Sequence, residues 1–191
     1  MRKIIGCDLD DVLWNFVGEL LNNYNRDCDD GLTLNDITEW DIHKFLKPEC
    51  SNIFKYANEE LLSNLKIPVE TKEVLIDLIN DESFDLKFVT SCKPEGLHHR
   101  KKALLSNLGD IFVSEAQLDK MIFCMPDKSL FAGDFLIDDC HENVSKGEYC
   151  GILIDKPWNV NFKYPDFLRA DNLKEAVSKI KEISIMRGKV R

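Results

Sequence analysis

Two aspartates near the start of the chain have the types and spacing to carry out phosphoryl transfer. Asp8 and Asp10 directly follow the short apolar run 3–7. Residues at i and i+2 on a loop that leaves a strand can face one pocket. One carboxylate can attack phosphorus to form an acyl phosphate, while the other protonates the leaving oxygen and then activates water. The pair therefore predicts covalent catalysis on a phosphate ester.

Two further polar pairs end apolar runs later in the chain. Thr90 and Ser91 end one run, and Asp138 and Asp139 end another. Carboxylates gathered around a phosphate dianion repel it, and a hard divalent cation with oxygen ligands relieves that repulsion. We expect Mg²⁺, with Asp138 or Asp139 completing its ligand set.

Hydroxyls and lysines supply the groups that would hold the phosphate itself. Thr90 and Ser91 can donate hydrogen bonds to phosphoryl oxygens, and a lysine can offset the negative charge that spreads in the transition state. Lys93 and Lys128 are the best placed along the sequence. Lys101, within the basic stretch 98–102, is the reserve candidate.

The elements that would position these residues alternate between short apolar strands and amphipathic helices. Four apolar runs end in polar residues, at 3–7, 84–89, 135–137 and 151–154. Segments 69–79 and 101–108 have helical apolar spacing, and 172–185 predicts a closing helix. This pattern predicts an α/β fold with a Rossmann-like parallel sheet sandwiched by helices, whose ligands gather beyond the carboxyl ends of the strands.

Residues 14–65 depart from the alternation. They give helical stretches at 16–24 and 59–65, joined by polar loops. We interpret 14–65 as a small inserted helical cap, and 1–13 with 66–191 as the α/β core.

Composition restricts the partners of the chain. Its 191 residues carry a net charge of −9, which argues against nucleic acid or an anionic membrane as the main partner. No run approaches the roughly 18 apolar residues of a membrane span. Seven cysteines without framework spacing indicate reduced thiols rather than a disulfide scaffold, and hence a cytoplasmic location.

The motifs resemble those of the haloacid dehalogenase-like superfamily with a helical cap. Within it, the chain is most similar to the cytosolic type C 5'(3')-deoxyribonucleotidases. The similarity covers about residues 3–160 and rests on Asp8-Leu9-Asp10-Asp11-Val12-Leu13, Phe16, Thr90-Ser91, Asp127-Lys128, Leu136 to Asp139 and Pro157-Trp158-Asn159.

The resemblance implies roles for the charged residues. Asp8 would be the nucleophile and a magnesium ligand. Asp10 would be the general acid and base and would offer its backbone carbonyl to the metal. Lys128 would clamp the phosphoryl group. One of Asp138 and Asp139 would bind magnesium directly, with the other supporting it.

The resemblance also implies contacts with the substrate. Thr90 and Ser91 would hold the phosphate, Phe16 would pack near the nucleoside, and Trp40 would take part in a base pocket of the cap. Lys93 lies near a second family lysine but one residue closer to the Thr-Ser pair.

Taken together, these expectations describe a magnesium-dependent phosphatase that acts on 5'(3')-(deoxy)nucleoside monophosphates as small-molecule partners. Two departures bear on the substrate: Asp11 stands where glycine is frequent, and Cys140 where arginine or lysine is often found. The alternatives are a related phosphatase for another small phosphomonoester, a non-catalytic nucleotide-binding protein and a phospho-accepting domain. Whether the chain forms a homodimer stays open.

Overall fold

A single parallel sheet forms the centre of the protein. The computed structural model describes residues 2–112, 114–162 and 168–188. Within them, the sheet has six strands in the order β3-β2-β1-β4-β5-β6. The strands are β1 (Lys3–Cys7), β2 (Phe84–Thr90), β3 (Ile122–Cys124), β4 (Phe135–Asp138), β5 (Cys150–Ile154) and β6 (Leu168–Ala170).

Helices connect the strands, as the amphipathic segments predicted. They are α1 (Phe16–Cys28), α2 (Glu59–Asn64), α3 (Val69–Asn80), α4 (Pro94–Leu108), α5 (Glu115–Asp119), α6 (His141–Lys146) and α7 (Leu173–Gly188). The predicted helix 101–108 is only the second half of α4, because Pro94 can occupy the first turn, where no backbone donor is needed.

Strand β1 occupies the position where the strand order reverses. It pairs with β2 on one side and β4 on the other, and Cys7 lies opposite both Phe88 and Ile137. Ligands of such sheets bind beyond the carboxyl ends of the strands at this switch point. The predicted fold class is confirmed, and the polar residues that follow these three strands meet at one edge.

The sequence analysis did not predict two of the six strands. Strands β3 and β6 have three residues each and lie at the two edges of the sheet. In β3 only Ile122 is buried, and Phe123 is 41% exposed. Strand β6 is interrupted by Arg169, whereas β3 lies within the apolar run 121–125, which the sequence analysis did not assign to a strand.

The segment between β1 and α3 contains α1, α2 and short 3₁₀ turns, and no strand. Helix α1 buries Phe16, Leu20 and Tyr24 on one face. The buried side chains of this segment join those under the sheet in a continuous apolar cluster. The division into a core and a 14–65 cap stays a prediction.

The cysteines correct one expectation. Cys28, at the end of α1, forms a disulfide with Cys50, with 6.3 Å between the Cα atoms. The prediction that the cysteines are reduced thiols is wrong for this pair, since spacing along the sequence cannot show which cysteines the fold brings together. No helix in the described part of the chain is long and apolar enough to cross a membrane.

Candidate active site

A buried lysine joins two of the predicted carboxylates at the switch point. Lys128 Nζ lies 2.6 Å from Asp8 Oδ1 and 2.7 Å from Asp138 Oδ2. Asp8 follows β1, Asp138 ends β4, and Lys128 begins the 3₁₀ turn Lys128–Leu130 before β4. Lys128 is only 2% exposed, so the ion pairs are sheltered from water. The structure thus brings the predicted motif lysine to the predicted nucleophile.

Three carboxylates converge beside this lysine. Oxygen atoms of Asp8, Asp138 and Asp139 lie within 4.8 Å of one another, and all three residues are buried. Burial raises the pKa of Asp8 to about 7; Lys128 opposes the rise, and the charge of Asp138 adds to it. Burial, and then Asp138 and Asp8, also raise the pKa of Asp139 well above its usual range. Such an oxygen cluster, short of positive charge, fits a divalent cation.

Side chains of α6 and of the loop that follows β5 orient the Asp138–Asp139 pair. Asn143 Nδ2 donates to both oxygens of Asp138 at 3.1 Å. Trp158 Nε1 donates to Asp139 Oδ2 at 3.0 Å, and Asn159 Nδ2 donates to Asp139 O at 2.8 Å. The Pro-Trp-Asn motif therefore supports the second carboxylate of the pair.

Asp10 has a separate set of partners. Trp14 Nε1 donates to Asp10 Oδ1 at 2.9 Å. Arg100 Nε donates to both Asp10 oxygens at 3.1 Å, and Arg100 Nη2 contacts Oδ2. Arg100 lies on α4 and was missed as a site residue, because the sequence marks it only as one member of the basic stretch 98–102.

Thr90, Ser91 and the substrate candidates Phe16 and Trp40 line one cavity of about 230 Å³. Thr90 is buried and Ser91 is exposed. Phe16 is buried, whereas Trp40 is 55% exposed at the same cavity. Further lining residues are Asp8, Asp10, Asp11, Val17, Leu20, Ile37, Ile42, Phe54, Lys128, Asp138, Asp139, Cys140, Asn143 and Trp158. The cavity is thus charged where the strands end and apolar toward the helical segment.

Two lysine candidates lie elsewhere. Lys93 is exposed just before α4 and lines a neighbouring cavity of about 510 Å³, which shares Ser91 and Asp10 with the first. Lys101 forms an ion pair with Asp119 on the surface. The structure places only Lys128, of these three, against Asp8.

Asp11 has a structural reason to be at its position. Its φ of 58° lies in the left-handed region, which favours glycine but tolerates aspartate. Both of its carboxylate oxygens accept from Val17 N at 3.2 Å, in the first turn of α1. Burial raises the pKa of Asp11 to about 7, with Lys156 opposing the rise. Asp11 therefore fixes the start of α1, and with it Phe16.

Comparison with known proteins agrees with this geometry. Residues 2–187 match the model of the 5' nucleotidase, deoxy (pyrimidine), cytosolic type C protein family. The chain belongs to this family. It is therefore a phosphoric monoester hydrolase, and the family resemblance seen in the motifs is confirmed.

Curated relatives match the chain over most of its length. The chain is 28% identical to a 5'(3')-deoxyribonucleotidase of Bacillus subtilis, over 94% of this chain and 99% of that protein. It is 27% identical to a 5'(3')-deoxyribonucleotidase of Clostridium acetobutylicum, over 78% and 88% of the two chains.

Solved structures confirm the haloacid dehalogenase-like fold. A hydrolase of that family from Xanthomonas campestris superimposes with a TM-score of 0.60 at 12% identity, covering 100% of this chain and 95% of the other. A HAD-hydrolase from Bacillus subtilis, solved bound to magnesium, gives a TM-score of 0.53 at 15% identity, covering 95% and 100%.

Proposed function

We propose that the protein is a magnesium-dependent phosphatase that hydrolyses 5'(3')-(deoxy)nucleoside monophosphates through an aspartyl-phosphate. The observation that carries the proposal is the contact of Lys128 with Asp8 at the carboxyl end of β1. A buried lysine beside a carboxylate can bind a phosphoryl group and hold its charge while that carboxylate attacks. The names of the curated relatives supply the substrate class.

In the first step, an oxygen of Asp8 attacks phosphorus and the bond to the leaving oxygen breaks. Asp10 donates a proton to that oxygen, which leaves as the hydroxyl of the nucleoside. In the second step, Asp10 takes a proton from water, water oxygen attacks phosphorus, and Asp8 and inorganic phosphate are released. Thr90 and Ser91 donate hydrogen bonds to the phosphoryl oxygens, and Lys128 neutralises their charge.

The acidic cluster fits Mg²⁺. Asp8 and one or both of Asp138 and Asp139 would hold the ion through carboxylate oxygens, and Asp10 through its backbone carbonyl. When bound, the ion neutralises charge on the phosphoryl group and the carboxylates. Trp158 and Asn143 keep the supporting carboxylates in place by the hydrogen bonds described above.

The apolar part of the cavity suits the nucleoside. Phe16 and Trp40 offer ring faces on which a base and sugar can pack. The net charge of −9 favours a small substrate over a polynucleotide or a membrane. A cytoplasmic location stays part of the proposal because five of the seven cysteines are free thiols, although Cys28 and Cys50 are paired. The proposal does not include an oligomeric state.

The test is a panel of 5' and 3' (deoxy)nucleoside monophosphates and small sugar phosphates, assayed for phosphate release with Mg²⁺. We expect the deoxynucleotides to be hydrolysed fastest, and rapid quenching to trap a hydroxylamine-labile phosphoprotein that Asp8→Asn lacks. Faster hydrolysis of a sugar phosphate would favour the alternative phosphatase function. A folded protein that hydrolyses none of the panel would overturn the proposal.

A further inference from the structure

Two cysteines face each other beside Thr90 and Ser91, the residues proposed to hold phosphate. Cys92 follows β2, Cys124 ends β3, and their Sγ atoms lie 4.0 Å apart. Cys124 Sγ also donates to Cys92 O at 3.1 Å. Cys124 is the register partner of Thr90 across the two parallel strands. The pairing of β2 with β3 thus brings the loop that carries Cys92 against Cys124.

The separation of the two Sγ atoms is small enough for a disulfide to form after a local movement of the chain. A disulfide has sulfur atoms about 2.05 Å apart, so the two sulfurs would need to approach by about 2 Å. Cys92 lies in the short loop between β2 and α4, and Cys124 is exposed at the end of a three-residue edge strand. A loop and an edge strand can make that movement more easily than the buried centre of the sheet.

We propose that Cys92 and Cys124 are a modification site, at which hydrogen peroxide forms a reversible disulfide that lowers phosphatase turnover. Peroxide oxidises the Cys124 thiol to a sulfenic acid and is reduced to water. Cys92 sulfur then attacks Cys124 sulfur, the S–O bond breaks, and the hydroxyl leaves as a second water with the Cys92 proton. Two thiols and one peroxide thus give one disulfide and two waters.

The surroundings of the pair set the order of these steps. Cys124 is exposed and meets the oxidant directly. Cys92 is half-buried, and burial raises the pKa of its thiol to about 11. A thiol with a raised pKa reacts slowly with peroxide in solution. Cys92 therefore acts as the resolving thiol rather than the first target.

The bond would act on the active site through the chain itself. Cys92 directly follows Ser91, and Thr90 is two residues before it. Drawing Cys92 toward β3 moves the peptide groups and the hydroxyl of Ser91 relative to Asp8. A displacement of about 1 Å in a catalytic group can cost up to about 10²-fold in rate. We expect the disulfide form to turn over at least tenfold more slowly.

The test treats the full chain with hydrogen peroxide and then follows two readouts. Peptide mapping should find a cross-linked peptide that contains Cys92 and Cys124. Phosphate release should fall at least tenfold and return after dithiothreitol. Cys124→Ser should keep the basal activity and lose both responses. Cys28→Ser, which removes the other disulfide, should keep both.

The outcomes separate this inference from the proposed function on which its activity readout rests. Absence of the Cys92–Cys124 peptide after peroxide treatment overturns the inference, whatever the activity. Formation of the bond without a change in turnover overturns its regulatory part. Should the reduced protein hydrolyse no phosphate ester, the proposed function fails, while peptide mapping still tests the modification site.

Discussion

The guanidinium of Arg100 binds the carboxylate of Asp10 through two nitrogens, Nε at 3.1 Å from both oxygens and Nη2 at Oδ2. Arg100 Nη1 donates to Gly96 O at 3.3 Å, and the guanidinium lies 5.3 Å from the ring centre of Phe16. A Cβ at position 96 would lie 2.9 Å from Nη1, so Gly96 leaves room for the arginine. This arrangement makes Arg100 a positioning residue for the proposed general acid and base.

Arg100→Gln should lower kcat about tenfold or more and change KM little, because Asp10 loses the fork that orients its carboxylate. The loss should be larger for a nucleotide than for an aryl phosphate, whose leaving group needs no proton. Arg100→Lys keeps the charge without the fork and should recover only part of the rate. An equal loss for both substrates would indicate a general structural effect instead.

Lys128→Met should reduce kcat/KM by about 30-fold to 10³-fold, since removing a preorganised charge stabiliser costs about 2 to 4 kcal/mol. Lys101→Met is the matched control: Lys101 pairs with Asp119 at the surface, and its loss should change the rate little. Circular dichroism must show both variants folded, because Lys128 pairs with two buried carboxylates, Asp8 and Asp138. A rate loss in the Lys101 variant alone would show that Lys101, and not Lys128, binds the phosphoryl group.

The contrast between Lys128, Lys101 and Arg100 shows how far the sequence could predict the site. Strand-end residues such as Asp8 were predictable, because parallel strands bring their carboxyl ends to one edge. Arg100 was not: its partner lies 90 residues away, and only the packing of α4 turns Arg100 inward. Lys93 depends on the same packing, since α4 begins at Pro94 and leaves Lys93 exposed, so its role in phosphate binding stays a prediction.

Asp11→Ala should be less stable than Asp11→Asn by about 1 to 2 kcal/mol. Both variants are uncharged, so their difference isolates the backbone and the hydrogen bond. Asparagine tolerates a φ of 58° and can still accept from Val17 N, whereas alanine is strained at that φ and has no side-chain acceptor. Urea unfolding at one pH measures the difference. Equal stability of the two would show that neither the left-handed backbone nor the bond to α1 matters.

The metal-free protein should lose stability as pH rises from about 4 to about 7. Unfolded aspartates have their ordinary pKa of 3.8, whereas the folded pKa of Asp8 and of Asp11 is about 7. Between these values the folded state holds more protons than the unfolded state, so raising the pH favours unfolding.

Thermal melts in a chelator across this range measure the effect, and Mg²⁺ should reverse it. Asp11→Asn should flatten the dependence of Tm on pH. The control Asp77→Asn, at an exposed carboxylate, should leave that dependence unchanged. A Tm that rises with pH in the chelator would contradict the direction of both pKa shifts.

Trp158→Phe should weaken magnesium binding about tenfold while leaving the fold intact. The indole Nε1 donates to Asp139 Oδ2 at 3.0 Å, and phenylalanine fills most of the space without that donor. Groups that orient metal ligands typically contribute 10- to 100-fold in affinity. The rise of Tm with Mg²⁺ concentration reports the affinity without any catalysis.

Trp40→Phe is the matched control, because Trp40 lies at the exposed side of the same cavity. This substitution should raise the KM for nucleotide and leave the Mg²⁺ dependence of Tm unchanged. Identical Mg²⁺ titrations for the two variants would remove Trp158 from the support of the metal site.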